Sequence, residues 1–466
     1  MSLAAISLSA LIIALVISCF SEVNIGILAI VFAWIVGYFG GIKVEQVIAG
    51  FPTALFLTLV ALTLLFSQAQ VNGTLDRFAR RAVHLCRGNA GVIPMMFFVM
   101  TAFLSSIGPG NVASTALMAP LGMAVAGRFN ISPFLMTIMI ANGASAGSLS
   151  PIAPTGVVVN GLVAKMGITN AQWPIYLNNL MIHTMVAFAG YFLFGGLKLF
   201  ARRGAVAAAP VAAAGVGAFL GSDSGDDPTH NETPPRESDR HPSLTPRQAP
   251  PRESDRHPSL TPDADEAPFA ARHWLTLAMI ATLVVGAIVF QINVGMAAFA
   301  CALVLTFARA SDDGEAVKRM PWKVILMVTG VTVLVALLEK TGGLDLFSNF
   351  LARLATPATS TLVTAFFTGL ISIYSSTTGV VLPALIPTVP GLIEKMGGGD
   401  PMAIISSMNS GGHLVDVSPL STLGALCLAA APPGTDTRRL FNQLMAWGLS
   451  MSVVGAIVCW IVFGLL

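Results

Sequence analysis

The sequence predicts an all-α polytopic membrane protein of inverted-repeat transporter type, with about ten transmembrane helices, two re-entrant helical hairpins and two broken helices. Three observations predict it. The 466 residues are 55% hydrophobic and only 10% charged, with a mean hydropathy of +0.77, against roughly 25% charged residues in an average soluble domain. Apolar runs approaching the ~20 residues needed for a span recur along the chain. Finally, the order of runs and Ser/Thr/Gly-rich interruptions is the same on either side of one compositionally foreign segment.

Taken in order, Leu3–Phe20, Asn24–Gly40 and Phe51–Gln70 read as the first three spans. No Lys or Arg precedes the first run and no small-residue cleavage site follows it, so it reads as a retained span and not a signal peptide. SSIGPGNVASTALMAP, Ser105–Pro120, then interrupts the stretch 91–128, the first hairpin. NGASAGSLSPIAPTG, Asn142–Gly156, interrupts 131–165, the first broken helix, and Pro174–Phe200 closes the half. Residues 201–272 are rich in Ala, Pro, Ser and Asp, and repeat PPRESDRHPSLTP at Pro234–Pro246 and Pro250–Pro262. Such a segment buries too little apolar surface to offset its ordering entropy, and it reads as a disordered cytoplasmic linker. Its repeat reads as a tandem duplication, the alternative being a phosphorylation or docking motif around Ser243 and Ser259.

The second half repeats the plan over 273–466: spans at Trp274–Gln291, Val294–Phe307 and Trp322–Leu338, then SSTTGVVLPALIP, Ser375–Pro387, within a hairpin at 358–396. NSGGHLVDVSPLSTLG, Asn409–Gly424, interrupts a broken helix at 401–431, and Leu440–Leu466 closes the chain. SPIAPTG and SPLSTLG, Ser150–Gly156 and Ser418–Gly424, keep Ser-Pro, an aliphatic residue and the final Gly at the same offsets. Basic residues cluster at Arg77, Arg80, Arg81 and Arg87, at Arg202 and Arg203, at Arg309, Lys318, Arg319 and Lys323, and at Arg438 and Arg439. If each hairpin leaves on the side it entered, all four clusters fall on one face, expected to be cytoplasmic, and the halves become inverted copies. Lys340, Asp345 and Arg353 fall outside, beside an expected interfacial helix.

Composition also excludes. A net charge of +2 argues against a nucleic-acid partner. Cys19, Cys86, Cys301, Cys427 and Cys459 are scattered without CxxC or zinc-type spacing, so neither a disulfide framework nor a metal centre is expected, and no cofactor.

Broken backbone at membrane depth survives only when buried in protein or lining a wet cavity, and interruptions paired between inverted halves point to a midplane substrate site. Each break frees a helix N-terminus, worth about half a positive charge and suited to an anion. Freed carbonyls and Ser, Thr and Asn oxygens suit a small hard cation. No Lys or Arg lies inside any interruption, so a dianion bound there needs dipoles or co-bound cations, sodium or protons. Asp416 is an intramembrane carboxylate and therefore a functional candidate, as sodium ligand or proton acceptor, with a structural pair to His413 as the bland alternative. His183 reads as a packing residue, and Gly37 and Gly41 as helix packing. Gly143, Ser145 and Gly147 spell GxSxG, the nucleophile elbow of serine hydrolases, but that motif needs a strand-to-helix turn and nothing β-rich precedes it.

SSIGPGNVASTALMAP resembles the Ser-Asn-Thr hairpin tip of the divalent-anion/sodium symporters, members of the wider ion-transporter superfamily. The order of elements outside the linker is similar to that of the bacterial malonate and dicarboxylate carriers of MatC type. The resemblance implies a dicarboxylate site flanked by Ser106, Asn111, Ser114 and Thr115 from one tip and Ser375, Ser376, Thr377 and Thr378 from the other. Ser150, Pro151 and Thr155, with Ser418, Pro419 and Thr422, would supply the broken-helix side. Ser105, Asn111, Ser148, Thr378 and Asp416 are the implied sodium ligands. The second tip reads SSTT and lacks the family's Asn, and the first half has no counterpart of His413 or Asp416. The expected function is secondary transport of a malonate- or succinate-like dicarboxylate across the inner membrane by cation symport, with an elevator motion in a homodimer. The rival expectations are the large membrane subunit of a binding-protein-dependent (TRAP-type) carboxylate transporter, a membrane-bound serine hydrolase and a membrane sensor.

Overall fold

The computed structural model describes residues 2–20, 23–77, 90–201, 269–290 and 292–465. Arg80, Arg81, Arg87, Arg202, Arg203 and linker residues 202–268, with Ser243, Ser259 and the repeated motif, lie outside them. Among the described residues all regular structure is helical, and both halves belong to one compact unit.

The first half runs α1 (Leu3–Phe20), α2 (Ile25–Phe39), the short α3 (Val44–Ile48), α4 (Thr53–Val71), α5 (Val92–Ser106), α6 (Gly110–Arg128), α7 (Pro133–Gly147), α8 (Pro154–Lys165), α9 (Gln172–Leu193) and α10 (Gly196–Ala201). The second runs α11 (Ala271–Ile288), α12 (Val294–Phe307), the short α13 (Asp313–Arg319), α14 (Trp322–Thr341), α15 (Gly343–Leu354) and α16 (Ser360–Ser372). It continues with α17 (Thr377–Met396), α18 (Pro401–Leu414), α19 (Thr422–Ala429) and α20 (Thr437–Trp460).

The second span of each half packs on the third span of the other, α2 on α14 and α12 on α4. This reciprocity is that of a pseudo-two-fold axis, and both helices start with Asn, a β-branched aliphatic residue and Gly. Asn24 accepts the Gly26 N–H and opens α2 as Asn-Ile-Gly; Asn293 accepts the Met296 N–H and opens α12 as Asn-Val-Gly. Both glycines sit at the crossing. A Cβ on Gly26 would lie 2.0 Å from the Leu326 carbonyl oxygen, and one on Gly295 would lie 2.7 Å from Thr58 Oγ1, so only a missing side chain admits the neighbouring helix.

Thr53–Val71, Trp322–Thr341, Thr377–Met396, Pro401–Ala429 and Thr437–Leu465 are long and apolar enough to cross a membrane, and shorter apolar helices accompany them. α2 and α12 form over nearly the same residues as their apolar runs, Asn24–Gly40 and Val294–Phe307. Turns ending in positive-φ residues, Gly41 (69°) and Arg309 (49°), close them at 15 and 14 residues, roughly 22 Å at 1.5 Å per residue. The bilayer must thin there or flanking residues must bridge the difference to its ~30 Å core.

Close contacts also bring helix ends together. Gln68 Nε2 donates to Asp313 Oδ1 at 3.0 Å, tying the end of α4 to α13, and Asn24 Nδ2 donates to the Lys323 carbonyl at 3.0 Å, tying the start of α2 to α14. Gly127, at the end of α6, lies against Pro432 before α20. The described basic residues Arg77, Arg309, Lys318, Arg319, Lys323, Arg438 and Arg439 stand at these ends. At the other ends Lys340 donates to the Gln46 carbonyl and Lys395 to Asp345, beside the amphipathic helix α15.

In each half a two-helix hairpin leans on a broken helix: α5 on α7, and α16 on α18. α9 closes over α7, and α20 over α16 and α18. The turn of the first hairpin places Gly108 at φ 137° against the Phe66 ring, where a Cβ would overlap that ring. The second hairpin resumes in a π-turn, Thr377–Val381, capped by Ser376 Oγ, which accepts the Gly379 N–H.

Candidate functional site

The two breaks are built alike. Ser150-Pro151 begins a tight turn closed by the Ala153 N–H on the Ser150 carbonyl, and Ser418-Pro419 begins one closed by the Ser421 N–H on the Ser418 carbonyl, both at 3.0 Å. Proline presets the φ of the second turn position. The final glycines then fold back onto the same serines: a Cβ on Gly156 would lie 1.9 Å from the Ser150 oxygen and one on Gly424 2.1 Å from the Ser418 oxygen. The shared spacing Ser-Pro-(four residues)-Gly is therefore a backbone device for stopping and restarting a helix.

At the first break the carbonyls ending α7 are satisfied locally. Ser145 O accepts the Ser148 N–H at 3.1 Å, Ser148 Oγ at 2.7 Å and Asn179 Nδ2 at 2.7 Å, the last reaching across from α9. These bonds quench the C-terminal end of the segment. The restarted ends lie close to one another. A Cβ on Gly110, the first residue of α6, would meet Pro154 Cδ of α8 at 3.3 Å. Thr155 Oγ1 lies 3.3 Å from Thr378 Oγ1 of α17, and Thr377 Oγ1 donates to Asp416 Oδ1 at 3.0 Å. Ser421 Oγ, at the N-cap of α19, donates to the same oxygen at 3.3 Å. Four helix N-termini, those of α6, α8, α17 and α19, are thus joined by successive contacts. Each carries about half a positive charge. Among the described residues no Lys or Arg is buried.

The same region concentrates buried polar atoms without a protein partner. They include Ser105 Oγ, Ser114 Oγ and Thr115 Oγ1 on the first hairpin, Ser372 Oγ and Ser375 Oγ on the second, and Ser407 Oγ, Ser410 Oγ and both amide ends of Asn409 before the second break. Asn179 Oδ1 and His183 Nε2 add two from α9. An orphaned buried group costs about 1–3 kcal/mol, so a cluster of them marks a place where the chain gives up stability for binding.

Ser106 Oγ donates to the Ala102 carbonyl and meets Tyr176 OH, and the partly exposed Asn111 accepts its neighbour Val112's N–H. Ser150 and Pro151 form the first turn, while Ser418 Oγ accepts the Leu420 N–H beside a buried Pro419. Thr422 stands exposed, apart from this bonded set. In register it occupies the place of Pro154, and Leu423 that of Thr155. Among the implied cation ligands, Thr378 and Asp416 enter the cluster, Ser148 Oγ is taken by Ser145 O, and Ser105 Oγ is buried without a partner.

Asp416 bonds Thr377 and Ser421, whereas His413 directs Nδ1 to the Asn409 carbonyl at 2.8 Å and Nε2 to Thr378 Oγ1 at 3.3 Å. The Asp416–His413 pair is therefore not formed. His183 is more than packing: its ring centroid lies 6.5 Å from that of His413 and its Nε2 is unpartnered. A lone His in an apolar run gave no sign of this neighbour. The GxSxG residues lie inside α7, where Gly143 and Gly147 face α5; a Cβ on either would come within 2.5 Å of the Phe98 or Ala102 carbonyl oxygen. The motif is helix packing. Gly37 packs on Val47 of α3, and Gly41 forms the turn after α2.

With this architecture in place, comparison with known proteins narrows the class. Residues 1–148 match the family model described as the N-terminus of the dicarboxylate carrier protein MatC. The MatC-type segment runs from α1 to the end of α7 and so stops at the first break. Among solved structures, the YdaH transporter of Alcanivorax borkumensis superposes with a TM-score of 0.54 at 16% identity, covering 90% of this chain and 88% of that one. MtrF of Neisseria gonorrhoeae, described as illuminating a class of antimetabolite efflux pumps, gives 0.52 at 10% identity, covering 90% and 82%. The likeness to both is one of fold. No curated protein matches the sequence. The chain is a multi-pass membrane protein with a transporter fold whose first third matches a dicarboxylate carrier family.

Proposed function

We propose that the protein is a secondary active carrier that moves a small dicarboxylate, malonate- or succinate-like, together with cations. The observation that carries this reading is the meeting of four helix N-termini in a patch of unpartnered hydroxyls, without a buried Lys or Arg. Backbone dipoles and hydroxyl donors favour an anion there, and they leave much of a dianion's charge unbalanced. Co-bound cations offset the remainder, and Asp416 is the carboxylate beside which one would sit. Because the hairpins and broken helices pack on one another in both halves, they would move as one body against the α2–α14 and α12–α4 scaffold, an elevator motion in a homodimer. The basic ends would face the cytoplasm of an inner membrane and keep the linker there.

Reconstitution of the chain alone in liposomes tests the reading. Counterflow with a panel of C3 to C6 carboxylates is expected to show autonomous exchange of a dicarboxylate. Exchange that appears only after adding a soluble receptor and a small membrane partner would instead establish the binding-protein-dependent class. Labelling of Ser145 by a fluorophosphonate probe would establish a hydrolase.

A further inference from the structure

The seam between α9 and α18 is polar along its length and lies beside the hairpin tip. Asn178 Nδ2 donates to Ser406 Oγ at 2.9 Å at one end, and the His183 and His413 rings face each other at the other. Between them the buried Asn409 amide and Ser410 hydroxyl have no partner. The protonation of His183 follows from its neighbours. Asn142 Nδ2 donates to the Ile138 carbonyl at 2.9 Å, which leaves Asn142 Oδ1 as the acceptor facing His183 Nδ1 at 3.1 Å. Nδ1 therefore carries the hydrogen of the neutral ring and Nε2 is a bare lone pair, fully buried, with no donor to meet it. One turn earlier on the same face, Asn179 spends its Nδ2 on Ser145 O, so its Oδ1 is a second acceptor without a donor. His183 Nε2 and Asn179 Oδ1 are thus two buried acceptors that no donor meets, and a proton on Nε2 would turn the first into a donor.

We propose that the coupling cation is a proton and that His183 Nε2, in place of a site beside Asp416, is its seat, making the carrier a proton–dicarboxylate symporter; this rests on the carrier reading above. An imidazolium by itself is costly at membrane depth, as is a dianion without a cation. Bound together, each offsets the other's burial, and by linkage each raises the other's affinity by the same factor. The proton comes from bulk water on one side, adds to the Nε2 lone pair and leaves from the same atom on the other, so no bond other than N–H is made or broken. The groups facing His183 are compatible with this. α7, α8, α10 and α18, which pack on α9, and α20 beyond them carry no buried Asp, Glu, Lys or Arg; Lys165 of α8 and Lys198 of α10 are exposed, His413 is the neighbouring titratable ring, and Asp416 follows α18 by two residues and is bonded to Thr377 and Ser421. Asp400, Arg438 and Arg439 lie at helix ends away from the seam.

The test uses the full chain in liposomes, with labelled malonate and succinate as probes. Acid-outside and sodium gradients are imposed separately, and counterflow is measured in parallel. The expected result is uptake driven by the acid-outside gradient and indifferent to sodium. In His183→Gln the ratio of gradient-driven uptake to counterflow should fall by about tenfold, within the ordinary range of coupling. Asn142→Asp, which places a carboxylate on Nδ1, should move the pH dependence of uptake towards alkaline by about one unit. Wild-type counterflow with sodium-driven, pH-indifferent uptake overturns the inference and leaves the carrier reading standing, as does an unchanged ratio in His183→Gln. If His183→Gln loses counterflow as well, Asn142→Asp decides, and an unmoved pH profile overturns the inference. Absence of wild-type counterflow overturns both.

Discussion

Asn179 holds the first break closed from a distance. Its amide donates to Ser145 O, which Ser148 also serves, and, at 3.3 Å, to Ala146 O. Asn179→Ala should therefore strand the Ala146 carbonyl and lower stability by about 1–3 kcal/mol, read as a fall in Tm of the detergent-purified protein; an unchanged Tm would mean water serves that carbonyl equally well. Thr377 joins the second hairpin to Asp416 through its hydroxyl. Thr377→Val keeps the shape, removes the donor and is expected to reduce dicarboxylate counterflow by about tenfold, the effect of losing one charge-assisted hydrogen bond of ~1.5 kcal/mol. The interruption hydroxyls were legible in the sequence because they come in four clusters at repeat-related places. Asn179 and His183 were not, because a few polar residues in a 22-residue, largely apolar helix do not reveal their partners, which lie on another helix.

At the scale of the element, the Ser-Pro turn and its closing glycine make a prediction that treats both halves alike. Gly156→Ala and Gly424→Ala each drive a Cβ into a backbone oxygen that cannot move without opening the turn. Both should abolish monodisperse elution or transport, whereas Gly161→Ala, with nothing within 4 Å of the added carbon, should be neutral. Size-exclusion profiles of the three variants check this, and a tolerated Gly156→Ala would show that the turn is not the constraint proposed. The breaks were visible in the sequence because Pro and Gly act locally. The lengths of α2 and α12 were visible too, since their runs end in Gly40-Gly41 and in Arg309 and the polar residues after it, where turns close the helices.

For the whole molecule, two-fold reciprocity between halves was readable from the order of interruptions, and the Asn-Ile-Gly and Asn-Val-Gly starts add a signal that composition alone did not raise. The proposed motion divides the molecule into scaffold and moving body, and cross-links distinguish them. In a background lacking native cysteines, a Met327→Cys, Gly379→Cys pair ties α14 to the second hairpin, whose atoms already touch, and should stop counterflow until reduced. A Ser7→Cys, Thr341→Cys pair, joining α1 to α14 where the hydroxyls lie 2.7 Å apart, should leave counterflow intact; inhibition by both pairs or by neither would contradict the division. The central claim, that an anion rests where restarted helices meet, is tested most directly by an experimental density map of the protein with bound malonate or succinate. The account predicts carboxylate density within hydrogen-bond reach of Thr155 and Thr378, between the ends of α6, α8 and α17. Density for the anion elsewhere, or α7–α8 and α18–α19 running as continuous helices, would contradict it.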